Sequence, residues 1–224
     1  MCVAFEFWVA GRYLRSRRQD GFISLIAWFS LVGISLGVAT LVIVLSVMNG
    51  FRHELLTRVL GINGHISIEA ALGDEGIPGF EGIVNDVSRL SNVVRVSPII
   101  ENQVLIRAQG KARGALVRGI RGSDLLSSEL VSRNITRGST ENFNGANGLI
   151  LGERLAQSIG VRVGDKVTIL SAKGRQTAMG EVPRSRSYNV LALFEIGMYE
   201  YDIGIIYMPL VHSQKFFLQD DHVT

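Results

Sequence analysis

The stretch "SLVGISLGVATLVIVLSVMNGFRHEL" (residues 30–55) is an apolar run that passes through Met48, Asn49, Gly50 and Phe51 into charged sequence with no helix breaker between. Residues 22–47 carry no charged side chain over 26 positions. Roughly 20 apolar helical residues cross a hydrocarbon core, so this run predicts a membrane-spanning helix with room to tilt. It exceeds the apolar core of a signal peptide, about 7–15 residues, and nothing after it reads as a cleavage site. Beyond the span, "MNGFRHELLTRVLGI" keeps helical spacing, with Phe51, Leu55, Leu56 and Val59 on one side. Gly61 and Gly64 supply the stop. Gly50 weakens the middle by about 1 kcal/mol relative to alanine without ending it. A helix unbroken over residues 22–60 is roughly 58 Å long at 1.5 Å per residue. It would leave the membrane at Met48, Asn49, Gly50 and Phe51 and continue as a stalk.

Charge around the span sets an orientation. Arg12, Arg15, Arg17 and Arg18 precede it, and Arg52 and Arg58 follow it beside Glu54. The arginine excess places residues 1–21 in the cytoplasm and everything after the span outside, which in a bacterial inner membrane is the periplasm. Residues 1–21 contain "FEFWVAGRYLRSRR", whose aromatic residues fall near helical spacing with arginines on other faces. This is the pattern of a short helix lying along the inner surface. Gly33 and Gly37 form a GxxxG pair with Ala27 and Ser30 nearby, small residues that let a second helix approach.

Composition excludes several classes. Hydrophobic residues make up 47% and charged residues 19%, with mean hydropathy +0.26. That is high for a purely soluble chain, and fits one span joined to a water-exposed domain. The net charge of +3 is spread rather than striped, so nucleic acid is not an indicated partner. A single cysteine, Cys2, rules out an intrachain disulfide, and the four histidines are scattered. No GxxxxGK[ST], HExxH or GxSxG sequence occurs, so neither a nucleotide loop nor a catalytic constellation is expected, and no cofactor or metal.

Residues 61–224 mix the two periods. "HISIEA" (65–70), "VVRVSPII" (93–100), "NQVLIRAQGKARGALVRGI" (102–120), "VRVGDKVTIL" (161–170), "YNVLALFEI" (188–196) and "DIGIIYMPL" (202–210) predict strands. "GIVNDVSRLSNV" (82–93) predicts a helix. "SDLLSSEL" (123–130) predicts a short helix capped by Ser123 or Asp124. "LILGERLAQSIG" (149–160) predicts a helix through Leu151, Leu155 and Ile159, stopped at Gly160. The expected fold is a mixed α+β domain behind a transmembrane and stalk helix. Residues 171–187, "SAKGRQTAMGEVPRSRS", read as a connecting loop longer than usual, and long loops are functional or disordered.

Several pieces resemble one family. They are "GRYLRSRR", "GFISLIAWFSLVGISLGVATLVIVLSVMNGFRHEL", "LVRGI" (116–120), "LILGERLAQSIGVRVGDKVTIL" (149–170), "MGEVPRSRSYNV" (179–190) and "FEIGMYEYD" (194–202). In this order they resemble the lipoprotein-releasing ABC transporter permeases of the LolC/LolE family, within the MacB-like and FtsX-like group. The resemblance implies a non-catalytic permease subunit that pairs with a cytoplasmic ABC ATPase and a second permease subunit. It implies extraction of lipoproteins from the inner membrane, transfer to a periplasmic carrier, and coupling of ATP hydrolysis to periplasmic domain motion. In such proteins the segment corresponding to residues 171–187 forms a hook that engages the carrier. By position Met179, Gly180, Pro183, Arg184 and Arg186 would make that contact. Family members continue for about as long again, with three further membrane helices and the ATPase contact among them. The chain therefore reads as an N-terminal part, with its domain incomplete at Thr224. Two alternatives stand beside this expectation: a permease of the same group for another substrate, and a single-span anchored interaction module.

Overall fold

The structure is a computed structural model and describes residues 3–14, 21–70, 76–145, 147–177, 180–219 and 221–224. Two compact units divide the chain, Met1–Thr57 and Arg58–Thr224. The first holds helix α1 (Val3–Leu14), where the Arg12 guanidinium lies 5.5 Å from the Trp8 ring centre. It also holds most of α2 (Gly21–Asn63), a single helix of 43 residues and about 65 Å. Continuity through Asn49-Gly50 follows from the sequence: Gly50 is a mild defect, and no proline interrupts the run. Phe22, Trp28, Phe29, Leu36, Leu41, Ile43 and Val47 are each more than half exposed. So apolar a surface fits hydrocarbon or other helices better than water.

The second unit opens with the last residues of α2, which runs to Asn63, three residues past the expected end. Gly64, at φ 73°, then turns the chain, and its N–H donates to the Leu60 carbonyl at 2.9 Å. Next come β1 (Ile77–Pro78), α3 (Phe80–Ser88), β2 (Ile99–Ala108) and β3 (Lys111–Ile120). They are followed by α4 (Gly122–Ser127), α5 (Glu129–Ser132), β4 (Ile135–Gly138), β5 (Gly148–Gly152) and α6 (Glu153–Ile159). The chain finishes with β6 (Lys166–Thr177), β7 (Gly180–Phe194), α7 (Tyr199–Gly204), β8 (Ile205–Pro209), α8 (Leu210–Phe217) and β9 (His222–Val223). This is the mixed α+β fold expected from the sequence.

The main sheet runs β4-β7-β5-β8-β3-β2-β6, and β6 also pairs with β7. The pairings therefore close a ring of six strands, with β4 attached outside it on β7. Most neighbours are antiparallel; β3 with β8 and β5 with β7 are parallel. Alternate residues face inward. Val104, Ile106, Val117, Leu149, Leu151, Ile169, Val190, Ile206 and Met208 fill the interior, joined by Leu155, Ala156 and Ile159 of α6 and by Phe216 of α8. The other face, through Ile120, Ile150, Phe194, Ile205 and Tyr207, packs against Leu125, Val131 and Phe143. A two-stranded sheet of β1 and β9 sits over a third cluster containing Phe80, Ile100 and Leu210.

Several expectations change. Residues 65–70 alternate as a strand does, yet form none: Ile66 is 86% exposed, and no described strand edge pairs with the segment. Residues 93–98 are likewise not a strand, because β2 begins only after Pro98, which lacks the N–H a ladder needs. Leu151 belongs to β5 rather than to the helix behind it. Residues 161–165 form a turn leading into β6, not a separate strand. Ser123 and Asp124 lie inside α4, whose N-cap is Arg121 with no side-chain cap bond. Residues 171–177 and 180–187 are not a loop: they belong to the two longest described strands, β6 of 12 residues and β7 of 15.

Candidate functional site

Two places in the second unit combine unusual residues with defined geometry: the ribbon made by the ends of β6 and β7, and the seat of α2's last turn.

At the ribbon's root, Lys166 through Ser171 pair with β7 from Asn189 back to Arg184. Farther out, Arg175 pairs with Val182, Gln176 with Glu181 and Thr177 with Gly180. Between these blocks the register shifts, and residues 172–174 face Pro183 alone. Proline fits here because a bulge asks for no ladder hydrogen bond. Beyond Ser171 the pairing is with β7 alone among the described residues, and Val182 and Pro183 are exposed. The glycines, proline and basic residues of this stretch show no apolar alternation and so read as a loop. Of the expected hook residues, Met179 lies outside the described residues. Gly180 closes the outermost pair, and Pro183 is exposed at the bulge.

Arg184 and Arg186 are at the root rather than the tip, and both are engaged by the domain. Arg184 Nη1 donates to the Phe216 carbonyl at 3.0 Å, at the end of α8. Arg186 Nη2 donates to Asn147 Oδ1 at 3.2 Å, and its guanidinium lies 5.6 Å from the Tyr188 ring centre. The outer face beside them is a bare, shallow depression lined by Arg107, Lys166, Thr168, Leu170 and Ser185. Sequence reading missed this face. Its signal is an alternation, Lys166, Thr168 and Leu170, that places a leucine on the exposed side.

Burial, reinforced by the charges of Arg186 and Lys215, lowers the pKa of His212 below the usual imidazole value. The folded domain therefore disfavours the imidazolium. His212 contributes no destabilisation above pH 6.5, and stability falls as pH drops below that until the folded histidine also takes up its proton. We expect the urea midpoint of the domain to fall between pH 7 and pH 5.5, and His212→Gln to flatten that slope, as read by pulse proteolysis across the series.

The seat of α2 is built from three strands. Glu101 on β2, Arg118 on β3 and Tyr207 on β8 lie side by side in register. Arg118 is 6% exposed, an unusual state for an arginine, and its donors are well used. Nε donates to Glu101 Oε1, Nη1 donates to the Ile62 carbonyl at 2.9 Å, and Nη2 donates to Asn63 Oδ1 at 2.9 Å. Asn63 Nδ2 in turn donates to the Tyr201 hydroxyl at 2.8 Å. Ile62 packs on the cluster around Tyr207, and Leu130 lies over Gly61. Burial raises the Tyr207 phenol above its ordinary pKa, opposed by the nearby Arg118 charge.

The other expected positions lie on α2 within the first unit. Gly33, Gly37 and Gly50 have open space where a Cβ would stand, and Met48, Asn49 and Phe51 are exposed. Among the described residues, no group of three or more His, Cys, Asp or Glu side chains is arranged to hold a metal.

Residues 27–224 match the family described as MacB-like periplasmic core domain. The lipoprotein-releasing system transmembrane protein LolC of Neisseria meningitidis serogroup B is 31% identical over 222 residues, covering 99% of this chain and 53% of the relative. The lipoprotein-releasing system transmembrane protein LolE of Haemophilus influenzae is 28% identical, covering 97% of this chain and 53% of the relative. The chain thus spans about half the length of the curated relatives it matches. Among solved structures, the extracellular domain of the ABC-type transporter YknZ from Gram-positive bacteria aligns with TM-score 0.47 and 14% identity, over 69% of this chain and 73% of that one.

Proposed function

From the premise that this chain belongs to the MacB-like periplasmic core domain family, we propose that it is a permease subunit of an inner-membrane ABC transporter that releases lipoproteins. In this reading residues 1–21 are cytoplasmic, residues 22–60 form the span and stalk, and residues 61–224 are the periplasmic domain. A separate ATPase works on the cytoplasmic side, a second permease subunit packs against the span through Gly33 and Gly37, and a soluble carrier receives the lipoprotein outside. The observation that carries the reading is the continuity of α2. The helix that is long and apolar enough to cross a membrane ends, without a break, in a turn built into the folded domain. A simple anchor has no need of such an ending; a lever does.

Reconstitution tests the reading. The protein would be purified in mild detergent with the partners it holds and placed in proteoliposomes containing an acylated lipoprotein. ATP-dependent appearance of that lipoprotein on the added soluble carrier is the expected result. A purified chain that brings down no ATPase and releases nothing would overturn it and favour an anchored interaction module.

The ribbon is the proposed carrier contact. Val182 is 55% exposed, and Pro183 beside it is exposed. They offer a small apolar surface on the strand pair, and we assign Met179, close by in the sequence, to the same contact. Because Arg184 and Arg186 are tied to α8 and to Asn147, we assign them to holding the ribbon's root. Met179→Asp should reduce crosslinking to the carrier by about tenfold, the effect of a charge forced into an apolar contact, and leave membrane insertion intact. Crosslinking at the wild-type level would remove the ribbon from the proposal.

A further inference from the structure

A helix ends with several carbonyls lacking intrahelical partners and with a partial negative charge, so a cation there is stabilising. Most helices that exploit this place a lysine or arginine in their own last turn. The last turn of α2 contains no basic residue. The missing cation comes instead from Arg118 near the end of β3, 56 residues from Ile62. Its guanidinium reaches the Ile62 carbonyl and the Asn63 side chain while its inner edge is held by Glu101. Glu101 fixes the aim of a side chain that is otherwise flexible.

We infer that Arg118 is the positioning residue through which the domain grips α2, and that this grip conveys displacement of the helix to the domain during transport. The second half rests on the permease reading above; the first half does not. Apolar packing alone is a poor carrier of movement along or about a helix axis, because it is non-directional. Charge-assisted hydrogen bonds to a carbonyl and to a side chain of one turn fix both the axial position and the rotation of that turn. Tyr201 holds the opposite side of Asn63, so the turn is restrained from two elements, β3 and α7. Ile62 and the Gly61–Leu130 contact supply apolar adhesion but no register.

The grip is tested on the full chain in nanodiscs, with its co-purifying partners, by hydrogen exchange and by the ratio of lipoprotein released to ATP hydrolysed. In Arg118→Met we expect amides of residues 58–64 to exchange at least about tenfold faster, the loss of charge-assisted bonds to one turn. Amides of β5 and β8 should keep their protection, and ATP hydrolysis should continue while release per ATP falls about tenfold. Should Arg118→Met fail to fold, Asn63→Ala removes two of the grip's bonds from an exposed position, and the same pattern is expected at reduced size. The exchange Glu101→Arg with Arg118→Glu separates an ion pair from a grip. It restores opposite charges across β2 and β3 but sets a carboxylate against the carbonyl end of α2. Recovery of wild-type release in that double variant would overturn the inference, as would unchanged exchange at residues 58–64 in Arg118→Met. Faster exchange together with wild-type release would overturn the transmission role. A wild-type protein that shows the grip by exchange but releases no lipoprotein would overturn the permease reading and leave Arg118 as an anchor of α2.

Discussion

Gly152→Val is expected to destabilise the domain strongly, lowering its urea midpoint. Gly152 ends β5 and caps α6, and a Cβ placed there would stand 2.1 Å from the Asp202 carbonyl oxygen and 2.6 Å from its carbon. The obstacle is backbone, which has no rotamer to adopt, so β5 and α7 must separate. Overpacking of this kind costs about 3 kcal/mol or more, a large share of the 5–15 kcal/mol typical of a domain. Gly114→Ala is the control. Gly114 lies in β3 with nothing within 4 Å of the added carbon, so its change should stay within about 0.5 kcal/mol. The measurement is pulse proteolysis in urea. Tryptophan fluorescence would mislead, because both tryptophans, Trp8 and Trp28, lie in the first unit.

The second large effect is expected at Asp202, which is fully buried. Its Oδ1 accepts the Ile196 N–H at 2.8 Å and its Oδ2 accepts the Gly197 N–H at 3.1 Å. The carboxylate thereby folds residues 195–198 back over the start of α7, with Gly197 at φ 82° making the turn. Asp202→Ala takes a charged acceptor from two amides at once. With about 1.5–3 kcal/mol for a hydrogen bond to a charged group, a loss of about 3 kcal/mol is expected. The same urea series checks it; a midpoint within error of wild type would show that this clasp is not what holds α7. Gly152 and Asp202 meet in one contact, so the double variant should lose less than the sum of the two.

These two residues show how a motif can be visible and its purpose hidden. "LILGERL" and "GMYEYD" stand out in the sequence as resembling pieces of other chains. Nothing in either shows that the glycine of one receives the backbone of the other across 50 residues. The ribbon illustrates the converse failure. Strand recognition from sequence depends on alternating apolar residues, and beyond Ser171, where β6 pairs with β7 and no longer with β2, the sequence shows no such alternation and reads as a loop. In residues 65–70 alternation is present, but no described strand pairs with the segment. Short local periods report what a segment can do, while pairing depends on what stands next to it.

The existence of the long helix was legible in the sequence alone, while its end lies three residues past the sequence expectation. An apolar run without proline must satisfy its backbone internally when water is absent, and only a helix does so within one segment. Gly64 ends it because its backbone adopts the left-handed turn without strain. Which residue receives that helix was decided by tertiary structure. Arg118 looks like a stray charge between Leu116-Val117 and Gly119-Ile120 until β2 brings Glu101 beside it and the chain returns Asn63 above it. A buried guanidinium is stable only where several acceptors converge. Those acceptors come from positions 17, 55 and 56 residues away, a distance over which local sequence carries no signal.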